Sequence, residues 1–204
     1  MTCAKAPKPF WRSASRTSRG SSRVRPGLPD TPPAAVPSAA GYRFALVVSR
    51  FNPAVTESLR AAAEALLAEA GADAVETFHV PGAYELPQAA RCAAETARFD
   101  AVVSLGCVIR GETPHFDYIS SAVAQGIMQA AGETGIPIAF GVLTTDNEAQ
   151  AIARAGAGHE NKGREAALAA IEMAGLFRRL GRPPARAGAG RPFGFEPAGR
   201  TGAS

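Results

Sequence analysis

No stretch of this 204-residue chain approaches the roughly 20 apolar residues that a membrane-spanning helix needs, so a soluble protein with no membrane partner is expected. Cysteine is sparse. Cys3, Cys92 and Cys107 are odd in number and show no CxxC spacing, which excludes a disulfide framework and suits a reducing compartment such as the cytoplasm. Two of the three lie in apolar segments, where a small buried thiol is the ordinary explanation. The only histidines are His79, His115 and His159, with no HxH, HExxH or Cys/His cluster among them, so no metal site is expected. A GxSxG signature is also missing, and no covalent serine triad can be assembled.

What is present divides into three parts. The net charge of +4 invites a nucleic-acid reading until it is apportioned. Residues 1–40 carry seven Lys or Arg against one acid and residues 181–204 four against one, whereas residues 41–180 carry eleven against sixteen. A fold that bound phosphate backbones would hold its positive charge on itself, so specific nucleic-acid binding is not expected. Both ends are rich in Pro, Gly, Arg and Ser without apolar periodicity, and segments 1–40 and 181–204 are expected to be disordered tails. The first tail has the acid-poor, Arg- and Ser-rich composition of a transit peptide, which leaves organelle targeting as the alternative to a cytoplasmic enzyme. It shows no clear amphipathic helix and no apolar signal-peptide core, and a solvated tail is the simpler reading.

Between the tails, strand and helix patterns alternate. Arg43–Ser49, Ala74–Val80, Ala101–Ile109 and residues 138–143 read as short, apolar, β-branched strands. Residues 55–70, 85–98, 117–134, 147–154 and 161–179 read as helices, several stopped by glycine. Four strands alternating with helices of this length imply right-handed βαβ units. The fold expected is a three-layer α/β/α sandwich around a four-stranded parallel sheet, flavodoxin-like in type, over residues 41–180.

Ligands in such sheets bind beyond the carboxyl ends of the strands, which makes the segments following them the candidates. Gly106-Cys107-Val108-Ile109-Arg110-Gly111-Glu112-Thr113 departs from the phosphate-cradling GxxxxGK[ST] at one position, but that position is the lysine. Glu112 would set negative charge beside nucleotide phosphates, so a P-loop NTPase is excluded. The turn still offers backbone N–H groups ahead of a helix, which suits a small phosphoester; a plain turn capped by Thr113 explains the spacing equally well. His115 lies in this turn, where an imidazole could exchange protons at physiological pH, although a lone loop histidine is more often ordinary. Phe51 and Tyr84 follow the first and second strands and could hold a planar ring, while Phe140, inside the fourth, reads as core. Arg154 and Lys162 flank a Gly-rich loop and could hold a phosphate or simply be solvated.

Four blocks in order carry a resemblance that decides among these readings. They are Ser49-Arg50-Phe51-Asn52, Val80-Pro81-Gly82-Ala83-Tyr84-Glu85-Leu86-Pro87, Gly106 through His115, and Phe140-Gly141-Val142-Leu143-Thr144-Thr145-Asp146-Asn147. Together with Ala153-Arg154-Ala155-Gly156 and Asn161-Lys162-Gly163, they resemble the 6,7-dimethyl-8-ribityllumazine synthase family over about residues 41–180. The resemblance implies a transferase of riboflavin biosynthesis that needs no metal or organic cofactor. It would condense 5-amino-6-(D-ribitylamino)uracil with 3,4-dihydroxy-2-butanone 4-phosphate.

Carried over by residue, the resemblance makes His115 the general acid/base and puts Phe51 on the pyrimidine. Ala83, Tyr84 and Glu85 would contact the uracil substrate and its ribityl chain, with Cys107, Val108 and Ile109 binding it through backbone groups. Glu112 and Thr113 would offer amides to the butanone phosphate, helped by Arg154 and with Lys162 nearby, and Phe140 would arrive from a neighbouring subunit. A homo-oligomer is therefore implied, a pentamer or a multiple of pentamers, with riboflavin synthase as a candidate partner. The family's segment before the first strand can pair with a neighbour's sheet, but here it is Pro37-Ser38-Ala39-Ala40-Gly41, weak in strand propensity. A flavin- or lumazine-binding protein without turnover is the competing reading, and the presence of His115, Arg154 and Lys162 disfavours it.

Overall fold

The computed structural model describes residues 36–183, so the expectations for the tails, apart from residues 36–40 and 181–183, lie outside the described residues. Four strands form one sheet: β1 (Arg43–Ser49), β2 (Ala74–Val80), β3 (Ala101–Ile109) and β4 (Ile138–Thr145). All neighbours pair in parallel, in the order β2-β1-β3-β4. The helices are α1 (Pro53–Glu69), α2 (Leu86–Glu95), α3 (His115–Thr134), α4 (Glu148–Ala155) and α5 (Lys162–Arg179). Among the described residues no helix is long and apolar enough to cross a membrane.

Strand periodicity builds the layers. Phe44, Leu46 and Val48 of β1 and Val103, Leu105 and Cys107 of β3 point to one face, where they meet Leu59, Ala63 and Leu67 of α1, Ala151 of α4 and Ala167, Ala170 and Ile171 of α5. The alternate residues Ala45, Val47 and Val102 point to the other face, against Leu86 and Ala90 of α2 and Val123 and Ile127 of α3. Both faces are covered, which is why these strands read as continuous apolar runs. The expected three-layer sandwich is the fold observed.

The element boundaries differ from the expected ones in three instructive places. Helix α2 stops at Glu95 instead of 98, because Ala97 takes a left-handed conformation with φ 54°. β4 runs on to Thr145, through two threonines that pair with Val108 and Ile109 of β3. Helix α3 starts at His115, two residues early, because Pro114 (φ −64°) already lies in the helical region and its carbonyl accepts from Asp117 N at 3.0 Å. His115 is therefore the first residue of a helix and not part of a loop.

Helices α1 and α5 pack closely because α5 presents small residues. At its N-terminus the contact is closest: a Cβ on Gly163 would stand 2.0 Å from the backbone oxygen of Leu59. Backbone cannot yield as a flexible side chain can. Gly163→Ala should therefore lower stability by about 2–3 kcal/mol, the upper part of the overpacking range, as read from the urea midpoint. An unchanged midpoint would show that the two helices are not held in this contact.

Candidate functional site

The sheet order places a switch point between β1 and β3. Chain leaving β1 crosses to the α1 side of the sheet, chain leaving β3 crosses to the α3 side, and a crevice opens between them at the carboxyl ends. A cavity of about 700 Å³ occupies that crevice. Phe51 and Asn52 come from the end of β1, Gly82, Ala83, Tyr84 and Glu85 from the turn after β2, Cys107, Val108 and Ile109 from the end of β3, and His115 and Ile119 from α3.

Phe51 and Tyr84 keep 68% and 62% of their surface exposed, unusual for rings on a folded domain, so both have faces free to take a planar ligand. Gly82 lets one of these rings and a carboxylate share a wall: a Cβ there would stand 3.4 Å from Phe51 Cδ2 and 3.1 Å from Glu85 Oε2. The Cys107 side chain packs into the core on the α1 side, and desolvation pushes its thiol up to about 11. It is protonated at neutral pH and is no nucleophile. What Cys107 shows the crevice is backbone, and its carbonyl accepts from Asn52 Nδ2 at 3.0 Å.

Eight of the residues singled out by the sequence thus meet in one cavity: Phe51, Ala83, Tyr84, Glu85, Cys107, Val108, Ile109 and His115. The other five lie elsewhere on the chain. Glu112 and Thr113 are exposed in the segment entering α3, just before His115. Phe140, expected as core from its position in a strand, is 46% exposed, because β4 is an edge strand. It flanks a separate groove of about 260 Å³ with Lys162, whose ammonium donates to both Glu165 oxygens at 2.7 Å. Arg154 sits in the last turn of α4, where its guanidinium donates to the Gln150 carbonyl of the same helix at 3.4 Å. Among the described residues no group of three or more His, Cys, Asp or Glu is placed to hold a metal ion.

Sequence reasoning passed over Asn52, Gly82 and Ile119 as site residues. Ile119 had a readable signal, since it lies four positions after His115 and so shares its helix face. Asn52 had a weaker one, an Asn-Pro pair after a strand. It takes a left-handed conformation (φ 55°, ψ 58°), which asparagine tolerates better than most residues, and its carbonyl accepts from Val55 and Thr56 at the start of α1. One residue thus turns the chain out of β1, begins α1 and ties the ends of β1 and β3 together.

Asn52→Ala should destabilise by about 2 kcal/mol in urea unfolding, through backbone strain and the lost bond to Cys107, whereas Asn52→Gly should recover the strain part. Equal losses in the two variants would show that the conformation is unstrained. Iodoacetamide at pH 8 should leave Cys107 unmodified in the folded protein and label it once the chain is unfolded; rapid labelling of the native state would contradict the buried thiol.

Comparison with known proteins gives the family. The family model for 6,7-dimethyl-8-ribityllumazine synthase matches residues 41–178. The chain is 56% identical to the 6,7-dimethyl-8-ribityllumazine synthase of Salinibacter ruber over 142 residues, 69% of this chain and 91% of that one. It is 50% identical over 145 residues to the Chlorobium luteolum enzyme of the same name, and 49% over 144 to that of Syntrophus aciditrophicus, each covering 70% of this chain and 94% of the relative. A family match over more than half the chain, with relatives this similar along nearly their whole length, means that the chain belongs to the 6,7-dimethyl-8-ribityllumazine synthase family.

Proposed function

We propose that the crevice between β1 and β3 is where this chain condenses 5-amino-6-(D-ribitylamino)uracil with 3,4-dihydroxy-2-butanone 4-phosphate to 6,7-dimethyl-8-ribityllumazine, releasing phosphate and water. The observation that carries the reading is the convergence of Phe51, Tyr84, Glu85 and His115, from three separate chain segments, on one cavity at the switch point. The pyrimidine would lie on the Phe51 ring. Its ribityl chain would run past Ala83, Tyr84 and Glu85, and backbone groups of Val108 and Ile109 would fix its edge.

The amine of the uracil attacks the ketone carbonyl, and the adduct loses water to give an imine. Phosphate then leaves, and ring closure expels a second water. Each step moves a proton between nitrogen, carbon and oxygen, and His115 at the head of α3 would carry it. The amides of Glu112 and Thr113, one turn before His115, would receive the phosphate, with Arg154 adding a charge-assisted bond. Most of the acceleration would come from holding two substrates in register, worth about 7–11 kcal/mol in well-oriented systems.

Phe140 and Lys162 support an oligomer. They share a groove on the β4 edge, apart from the main cavity, so if they serve the same chemistry they must do so in another copy's site. The open faces of Phe51 and Tyr84 fit a pocket finished by a neighbour. The assembly proposed is a pentamer or a multiple of pentamers, in the cytoplasm, with riboflavin synthase as the acceptor of its product.

His115→Ala should keep slow turnover, reduced by about 10²–10⁴-fold, because positioning survives without the proton carrier. Arg154→Ala should mainly raise KM for the butanone phosphate. Both are read by following lumazine fluorescence with purified protein, and full activity in His115→Ala would sink its assigned role.

A further inference from the structure

The segment carrying Glu112, Thr113 and His115 has little packing of its own. Residues 111–115 are all exposed, and nothing lies within 4 Å of where a Cβ on Gly111 would stand. The segment is instead gripped at its two ends by one side chain. Arg110 donates from Nη2 to Asp117 Oδ1 at 2.9 Å and from Nη1 to Asp117 Oδ2 at 3.2 Å, a two-point pairing. Its guanidinium carbon lies 4.1 Å from the centroid of the Phe116 ring. Phe116 and Asp117 directly follow His115, so Arg110 closes the loop across the five residues between.

The same guanidinium also reaches the neighbouring strand. Nε donates to Asp146 Oδ1 at 3.2 Å, and the Arg110 backbone N–H donates to Thr145 O at 2.9 Å. Asp146 precedes Asn147, whose side chain accepts from Gln150 N and caps α4, the helix that carries Arg154. An isolated exposed ion pair contributes little. Here one planar group engages two carboxylates and a ring at once, a geometry that lysine cannot reproduce.

We infer that Arg110 is a positioning residue for the condensation: it sets where the Glu112 and Thr113 amides and the His115 imidazole stand relative to the butanone phosphate. The inference rests on the site proposed above and deepens it.

The test uses full-length Arg110→Met, Arg110→Lys and Asp117→Asn. Each substrate is varied in turn, with inorganic phosphate as a competing ligand. Arg110→Met is expected to lower kcat about tenfold and to raise both KM for the butanone phosphate and the inhibition constant of inorganic phosphate about tenfold, within what a displacement near 1 Å can cost. KM for the uracil substrate should change by less than about twofold and the thermal midpoint by less than about 2 °C, because the pairs are exposed. Arg110→Lys should restore little. Arg110→Met combined with Asp117→Asn should be no worse than Arg110→Met alone.

Unchanged kcat and phosphate inhibition in Arg110→Met would overturn the inference. So would equal losses for both substrates together with a lowered thermal midpoint, which would indicate a merely structural role. Should Arg110→Met fail to fold, Asp117→Asn, which leaves the guanidinium in place, must show the same split between substrates. Failure of the wild type to make lumazine would overturn the site reading itself and is distinguishable from both.

Discussion

A parallel sheet buried on both faces constrains everything that follows from it here. β1 and β3 lie side by side in register, Phe44 beside Ala101 through Val48 beside Leu105, and neither can end in a hairpin. Each must leave the sheet at its carboxyl end and return along a face. Because α1 packs on one face and α3 on the other, the two exits diverge and leave a crevice whose floor is strand backbone. The exits hold the candidate site residues: Phe51 and Asn52 on one side, Arg110 to His115 on the other. Asn52 spans them through its bond to Cys107.

The sequence shows most of this because burial writes itself into composition. Strands such as Phe44-Ala45-Leu46-Val47-Val48 are fully buried and read as uninterrupted apolar runs. Helices were legible as elements but less so at their ends, where single backbone conformations decide: the left-handed Ala97 cuts α2 short, and the helical φ of Pro114 brings His115 into α3. Phe140 misled for a topological reason. An aromatic within a strand reads as core, but strand order is a long-range property, and β4 proved to be an edge strand with the ring half exposed.

The candidate site divides in the same way. Phe51, Tyr84 and His115 could be picked out because they follow strands, and topology then gathers them without further information. Asn52 and Arg110 were not legible as site residues. Each reaches a partner distant in sequence, Cys107 for Asn52 and Asp146 for Arg110, which no local pattern predicts, although Arg110 also pairs with nearby Asp117. Phe140 and Lys162 lie together in a second groove, away from the main cavity.

The central claim is that one subunit supplies the crevice and its proton carrier while another completes it. Co-assembly of His115→Ala subunits with Phe140→Ala subunits tests this most directly. If each site draws His115 from one copy and Phe140 from the next, random equal mixing restores both residues at about one quarter of the sites, and activity rises well above that of either variant alone. Activity that stays at the average of the two separate variants, in assemblies shown by native mass to be mixed, would contradict the account.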